Sequence, residues 1–313
     1  MSFEDYLEEL KDQSRALIAS RLTKLSSIAS SEADALREAW PQAVLNRPRQ
    51  VMRRLIDLTE DNVDLDFDAV YKVALTDDDE EVRHLAIQGL WEYEGRDLIG
   101  PLIDMLRHDS VESVRAQAAL ALGRYVLRAE FQRLHPADGK RIEEALRAAI
   151  NNPDEAVEVR GRALEAVGAL SSPWVHESIE NAYRSKHHRL RISAMHAMGR
   201  ACDPRWQPLI VQELSSDEEE MRFEAAHACG LVCDEAAVPR LKRLLRDRDV
   251  EVQEAAIASL GEIGGVEARE ALEGLQSHPN VRVREAAVAA MDDLDFNADP
   301  LKFGLGRTDG DSE

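Results

Sequence analysis

Apolar and polar positions recur along this chain with a period of 31 residues. Each copy of the pattern runs apolar-Arg-x-x-Ala-x-x-x-apolar-Gly, which places its apolar positions on one side of a helix. From position 163 onward the central alanine returns at that spacing, as Ala163, Ala194, Ala225, Ala256 and Ala287. Internal repetition at this period predicts an α-solenoid, in which neighbouring helical units share a continuous core.

Earlier copies of this frame precede the regular series. Strong copies begin at Val82 and Val114, and a weaker one begins at Val51. About 14 extra residues separate the copy at Val114 from the next, and we place this insertion at roughly 124–139. The insertion contains Phe131, His135 and Pro136. A lengthened helix or loop there would bend the stack or add a contact surface, and a tolerated surface insertion is the alternative interpretation.

Each copy predicts two helices, here called A and B, joined by a polar turn. The frame is helix B, and Pro208 and Pro239 lie near the starts of A helices, where a missing backbone N–H costs little. The glycine that closes the frame, as at Gly168, is expected to end helix B as a cap or a tight turn. Apolar positions in register within the A helices are Ile179, Ile210, Leu241 and Leu272.

An aspartate precedes the frame arginine by six residues in several copies. The pairs at this spacing are Asp77 with Arg83, Asp109 with Arg115, and Asp154 with Arg160. Asp247 keeps the position even where Gln253 replaces the arginine. A carboxylate there can cap helix B, and an arginine one repeat away can reach it, so we expect a structural ladder of Asp–Arg pairs.

The repeats predict one domain of about eight helical pairs, residues 46–295, with the all-α fold of a solenoid. Residues 1–45 are helical in pattern but do not match the frame, so we expect an N-terminal cap, because terminal repeats need a polar outer face. From 296 to 313 the pattern ends. We expect an acidic, frayed tail there, which Leu301 and Phe303 could anchor in part.

Charge narrows the choice of partner. The 313 residues carry 39 Lys and Arg against 60 Asp and Glu, a net charge of −21, which repels phosphate backbones and anionic membranes. The sequence shows no apolar leader and no membrane-spanning run of about 18 residues. Cys202 and Cys233 occupy equivalent positions one period apart, too distant for a disulfide between stacked helices. We therefore expect a cytoplasmic protein with reduced thiols, binding neither nucleic acid nor membrane.

Helical pairs with proline in helix A, aspartate in the turn and Val-Arg-x-x-Ala-x-x-x-Leu-Gly in helix B resemble HEAT repeats. Among these they resemble the short bacterial variety named after phycobilisome lyase subunits, and the resemblance covers about residues 46–295. It implies a stack of two-helix repeats, a fold that hosts many functions.

Some members of that family are enzymes, and the residues that each enzyme needs can be compared with the residues of this chain. The lyase subunits attach bilin chromophores, and no residue here marks that chemistry. HEAT-like deoxyhypusine hydroxylases bind two irons through several His-Glu pairs, whereas this chain has only His176-Glu177. HEAT-like DNA glycosylases have a basic concave face, which the net charge of −21 disfavours.

The chain has no sequence motif for a catalytic, metal or phosphate site: HExxH, Cys-x-x-Cys, G-x-S-x-G and the phosphate-binding glycine loop are all missing. A metal held by His196 and His227 would have two ligands and no nearby carboxylate, which makes an incomplete site. We expect no catalytic residue, no metal and no cofactor.

Helix geometry offers candidates for a binding site, because the third and seventh positions of the frame face away from the core. In HEAT-like stacks that side of helix B lines the concave surface. Ile192, His196, Phe223 and His227 would form an exposed apolar and imidazole patch across two repeats, and His84 and Glu165 occupy the same frame positions elsewhere. The alternative is that Ile192 and Phe223 pack against a neighbouring repeat and the histidines are solvated.

Together these features predict a non-enzymatic scaffold or adaptor that binds a protein partner on the concave helix-B face. The acidic flanks of the patch favour a basic or polar partner. The alternative is a subunit similar to phycobilin lyases, an enzyme or chaperone that needs a second chain.

Overall fold

The computed structural model describes residues 3–12, 16–43 and 46–298, and within them the chain forms eighteen α-helices and no strand. Turns and short 3-10 segments join the helices, and neighbouring helices pack on one another within each compact unit, as α7 does on α8 and α11 on α12. The predicted all-α solenoid is therefore confirmed.

Two short helices come first, and the other sixteen form eight A–B pairs. The first two are α1 (Phe3–Lys11) and α2 (Ala19–Leu22). The A helices are α3 (Ser30–Ala39), α5 (Asp68–Ala74), α7 (Ile99–His108), α9 (Pro136–Asn151), α11 (Pro173–Tyr183), α13 (Gln207–Glu213), α15 (Val238–Leu244) and α17 (Val266–Glu273). The B helices are α4 (Arg47–Asp61), α6 (Glu80–Gly89), α8 (Glu112–Glu130), α10 (Val157–Val167), α12 (His188–Ala201), α14 (Glu219–Val232), α16 (Val250–Ile263) and α18 (Val281–Ala298).

The chain divides into two compact units, Met1–Ala166 and Val167–Glu313. In the first unit, B helices pack side by side from α4 to α6 and from α6 to α8. In the second unit, α12 packs on α14, α14 on α16 and α16 on α18. Side-by-side B helices place equivalent residues of successive repeats next to each other, so a pattern of 31 residues becomes a shared interior.

The central alanines of the frame lie in that interior. Ala163, Ala194, Ala225, Ala256 and Ala287 are all fully buried, as the repeat pattern predicts. Branched residues at the first frame position, such as Val252 and Val283, are buried beside them. A methyl side chain at the centre of each B helix keeps the helices close while the branched residues fill the layer.

The glycine that closes the frame lies at the predicted helix end in one copy only: Gly168 directly follows α10, which ends at Val167. Gly199 and Gly261 lie inside α12 and α16, not beyond their ends. A Cβ atom on Gly199 would come within 3.0 Å of the Cα of Ala228, and one on Gly261 within 2.8 Å of the carbonyl oxygen of Ala290. The prediction of a helix cap is wrong here because adjacent B helices approach too closely for a side chain. Equivalent close approaches join Gly123 to Ala166, Gly168 to Ala197, and Gly230 to Ser259.

Two Asp–Arg pairs form as the ladder predicts, each between one repeat and the next. Arg83 donates from Nε and Nη2 to both carboxylate oxygens of Asp109, at 2.7 and 2.8 Å. Arg222 binds Asp247 in the same way, at 2.7 and 2.9 Å. Both aspartates are almost fully buried, so each planar guanidinium locks two repeats together.

The same arginines also hold their own turns. Arg83 Nη1 donates to the carbonyl oxygen of Asp77 at 2.8 Å, six residues earlier, and Arg222 Nη1 donates to that of Ser216 at 2.9 Å. Gln253 repeats this contact with the carbonyl of Asp247, at 2.5 Å, in the copy that lacks arginine. In these three copies the side chain at this frame position donates to the backbone carbonyl oxygen six residues earlier, in its own turn.

The ladder changes elsewhere along the chain. Arg115 binds Glu155 at 2.8 Å in place of the predicted Asp154, and Arg160 donates to the carbonyl oxygen of Ile150 at 3.1 Å. Arg191 pairs with Glu218 at 2.8 Å on the surface.

The aspartate six residues before the frame arginine does not cap helix B, so this prediction is also wrong. Asp77 accepts from the backbone N–H of Asp79 at 2.8 Å, which closes the turn before the helix, and Asp79 is the residue that caps α6. Asp247 and Asp249 divide the two tasks in the same way at α16. An aspartate carboxylate most readily bonds the N–H two residues ahead of it, so the earlier aspartate forms the turn.

The insertion predicted at 124–139 falls on the end of α8 and the start of α9. α8 is 19 residues long, and Pro136 begins α9 after His135, whose ring accepts from the N–H of Ala137 at 3.2 Å. Parts of the predicted end segments, namely residues 1, 2, 13–15, 44, 45 and 299–313 with Leu301 and Phe303, lie outside the described residues. Cys202, Cys229 and Cys233 are free thiols.

Candidate partner-binding surface on the B helices

Four of the predicted site residues lie on α12 and α14 of the second unit. Ile192 is only 2% exposed, so the expected exposed position of this residue is wrong. α12 packs against both α11 and α14, which leaves it a narrower solvent-facing side than a helical wheel of an isolated repeat suggests. Phe223, at the equivalent position of α14, is half-buried and keeps part of its ring at the surface.

The two histidines face carboxylates of the following B helix. His196 Nδ1 lies 3.3 Å from Glu224 Oε2, and the charge of His227 acts on Glu262 of α16. His227 is exposed and His196 is half-buried. Among the described residues no group of three or more His, Cys, Asp or Glu side chains is arranged to hold a metal ion.

The two remaining candidates lie in the first unit and differ from each other. Glu165, on α10, is 3% exposed and forms an ion pair with Arg162 at 3.0 Å. Its expected place on the surface is therefore wrong, because the carboxylate is buried against its own helix with a paired arginine. His84, on α6, is half-buried.

One apolar stripe on α14 goes beyond the predicted patch. Phe223, His227 and Leu231 are four residues apart, so they follow one side of the helix, and Leu231 is 41% exposed. The seven-position frame does not include Leu231, which lies one helical turn beyond His227; a frame extended by one turn does include it.

The next two B helices, α16 and α18, each carry two acidic residues with an alanine between them on the corresponding side. α16 carries Glu254, Ala258 and Glu262, and α18 carries Glu285, Ala289 and Asp293 at the corresponding places. We call these two stripes, with Phe223, His227 and Leu231 of α14, the acidic B face. Both alanines are exposed, so small side chains alternate with carboxylates across it.

The pKa of Glu262 is shifted by its surroundings on the acidic B face. Burial raises its pKa above the ordinary value, the charge of His227 opposes that rise, and the charge of Asp293 adds to it. Its carboxylate lies directly over Gly230 of α14, at a place where a Cβ atom would overlap it. The absent side chain at Gly230 thus lets an acidic group settle between two B helices.

A more polar cluster lies at the edge between α12 and α14. Glu218 accepts from Arg191 at 2.8 Å and lies 3.1 Å from His188, which also faces Glu220 at 3.6 Å. These groups are exposed, so the contacts add little to stability and leave the charges available to solvent or to a partner.

In the part of the chain that the structure describes, no helix is both long and apolar enough to cross a bilayer.

Comparison with known proteins assigns a family to this arrangement. A family model described as HEAT repeats matches residues 67–137 and 207–292, together half of the chain. No curated protein sequence matches the chain.

Several solved structures are similar to this chain at low identity. A chain of the CpcE–CpcF complex of phycocyanin lyase from Nostoc sp. PCC7120 is 19% identical, with 73% of this chain and 93% of that chain covered and a TM-score of 0.48. Human deoxyhypusine hydroxylase is 20% identical over 88% of this chain and 98% of that chain, with a TM-score of 0.38. A chain of the Kap95p–RanGDP structure is 12% identical over 93% of this chain and 43% of that chain, with a TM-score of 0.48.

Proposed function

The chain belongs to the HEAT-repeat family, and from that premise we propose that it is a non-enzymatic scaffold that binds a protein partner through the acidic B face of its second unit. We place its action in the cytoplasm, where its free thiols would stay reduced.

The observation that carries the proposal is the composition of the acidic B face. Phe223 and Leu231 offer apolar anchors, and carboxylates on α16 and α18 surround the exposed Ala258 and Ala289. One of these carboxylates, Glu254, already pairs with Arg282 at 2.6 Å, so the charge offered to a partner comes from the others. A few well-packed anchor residues supply most of the binding energy in protein interfaces, and surrounding charge selects the partner. A helix or extended segment rich in lysine and arginine has the complementary chemistry.

Surface variants test the proposal without disturbing the core. Leu231→Ser removes an exposed anchor, and Ala258→Lys places a cation among the carboxylates. Val266→Lys is the matched control, because Val266 is strongly exposed on the A helix α17 of the same unit. The tagged chain and each variant are used for affinity purification from the native host, with recovered proteins quantified by mass spectrometry.

We expect the specific partner recovered with the unmodified chain to fall about tenfold with either B-face variant. Recovery with the control should not change, and circular dichroism and melting temperature should be the same for all four proteins. Equal recovery with all of them would contradict the placement of the site. Bilin transfer to a co-expressed phycobiliprotein that depends on this chain would contradict the non-enzymatic assignment.

A further inference from the structure

The first unit contains a cavity of about 300 Å³ that the proposed function does not use. It lies between the end of α4, the start of α5 and the turn that follows α6. Three of the aromatic side chains on its walls are Tyr71, Trp91 and Tyr93. Trp91 is 69% exposed, an unusual position for a tryptophan in a soluble protein.

A buried hydroxyl group faces this cavity. The Tyr71 side chain is 1% exposed, and its ring fits against α6 because Gly89 has no side chain to overlap it. The Tyr71 oxygen makes no well-directed hydrogen bond. Thr59, on the same wall, donates its hydroxyl to the carbonyl oxygens of Leu55 and Ile56, at 3.3 and 2.8 Å. Burial raises the pKa of Tyr71, and a contact with the Thr59 hydroxyl opposes that rise. A buried hydroxyl that lacks a well-directed hydrogen bond is costly, so a ligand that bonds to it would improve on this contact.

Four carboxylates surround the aromatic walls. They belong to Glu60, Asp66, Asp68 and Glu92. Burial raises the pKa of Asp68, and the neighbouring charge of Asp66 adds to this rise. A carboxylate in that situation gains most from a cation placed beside it.

Two cations of the protein act on Asp68, and both are already engaged. Lys72 lies 3.6 Å from the centre of the Tyr93 ring and pairs with Asp97 at 2.9 Å. Arg124 donates to the carbonyl oxygen of Trp91 at 2.6 Å, which fixes the turn that carries this tryptophan. Neither residue lines the cavity, so the carboxylates outnumber the cations there.

We propose that this cavity binds the cationic side chain of a lysine or arginine from a partner protein. Trp91 covers the aliphatic stem and offers its ring face to the charge, as Tyr93 does to Lys72. Asp68 and Glu60 neutralise the cation, and Tyr71 accepts one of its hydrogen bonds. The site lies in the first unit and does not rest on the function proposed for the acidic B face.

Short synthetic peptides test the site directly. The probes are acetyl-Gly-Gly-X-Gly-Gly-amide with X as lysine, arginine, norleucine or citrulline, titrated into the full chain by calorimetry. We expect saturable binding of the lysine and arginine peptides and about tenfold weaker binding of their uncharged counterparts. The relative affinities of the two charged peptides identify which cation fits. Equal binding of norleucine, or no binding of either charged peptide, would overturn the proposal.

Variants separate a binding role from a structural one. Tyr71→Phe removes only the hydroxyl, so the melting temperature should hold or rise while affinity for the charged peptides falls about tenfold. Asp68→Asn should weaken binding similarly, and Glu38→Gln, an exposed carboxylate on α3 of the same unit, should not. Val266→Lys, on α17 of the second unit and outside both proposed sites, should leave peptide binding unchanged. Unaltered affinity in Tyr71→Phe, or equal losses in Asp68→Asn and Glu38→Gln, would contradict the site.

Discussion

At the scale of single residues, the most consequential contact is the buried arginine–aspartate pair between repeats. Arg222 and Asp247 are both nearly inaccessible to solvent, and a hydrogen bond from Arg222 lowers the pKa of Asp247. The pKa of the equivalent Asp109 is also lowered. Burial raises this pKa, but the hydrogen bonds from Arg83 and from the backbone lower it by more. Removing one member leaves the other buried and uncompensated.

Asp247→Asn should therefore cost roughly 3 kcal/mol of unfolding free energy at pH 7. A lowered pKa means that this stabilisation is fully present above the pKa of an unfolded aspartate, about 3.9, and is lost as pH falls through the folded value. Denaturant unfolding at pH 7 and at pH 3 checks this, because the difference between variant and unmodified chain should shrink at the lower pH. Arg191→Gln, which breaks an exposed pair, is the control and should cost less than about 1 kcal/mol. A difference that does not depend on pH would contradict the assigned role of the carboxylate.

At the scale of the helices, glycine and small residues set the spacing between B helices. A methyl group added at Gly261 would press on the backbone of α18. A methyl group added at the exposed Gly274, at the end of α17, would make only ordinary van der Waals contacts. Ser259, where other repeats have alanine, donates to the carbonyl oxygen of Ala226 at 2.6 Å, so its hydroxyl is satisfied inside the contact.

Two glycine-to-alanine substitutions should therefore change the free energy of unfolding differently. Gly261→Ala should lower stability by about 1–3 kcal/mol, because the added methyl forces α16 and α18 apart. Gly274→Ala should be neutral or slightly stabilising, since alanine restricts the unfolded chain more than glycine does. Thermal melting followed by circular dichroism measures both. Equal shifts in the same direction would show that helix contact does not govern Gly261.

Sequence alone predicted the helical pairs, the buried alanines and the exchange of arginine and aspartate between repeats. Each of these follows from a periodic pattern or from short-range chemistry. Its errors concern neighbours that are distant in sequence. The frame predicts a cap at Gly199 because a single repeat does not include Ala228, 29 positions further on. A helical wheel predicts Ile192 at the surface because it does not include the adjacent helices that cover this residue.

The candidate site was predicted in the same uneven way. Phe223 and His227 follow from the frame, which also has Glu254 and Glu285 at its third position. Leu231, Glu262 and Asp293 lie one turn beyond the seventh frame position, so the frame does not include them. The cavity around Tyr71 lies between a helix end and two turns, where the repeat pattern carries no information. Only the folded arrangement brings Trp91 and Asp68 together.

At the scale of the whole molecule, the net charge of −21 governs which large partners can approach. Several arginines of the B helices are also occupied: Arg83, Arg222 and Arg282 each bind a carboxylate of another repeat. Their charge is neutralised where it lies, so it does not add to a basic surface.

We therefore expect no binding of duplex DNA even at low salt, about 50 mM, where non-specific affinity is strongest. An electrophoretic mobility assay with a labelled duplex provides the measurement, with a basic DNA-binding protein as the positive control. Retardation of the duplex by the unmodified chain would mean that a local basic surface overrides the total charge.

The helix contacts also show where foreign sequence can be placed. Gly123 and Ala166 touch although they are 43 positions apart, against 29 for Gly199 and Ala228, so the 14 additional residues do not disturb the contact. The turn between α8 and α9 holds Gln132 in the left-handed conformation, with its side chain exposed. A fluorescent reporter or an epitope inserted at Gln132 would lengthen an insertion that the chain already contains. It would label the protein and leave every repeat in register.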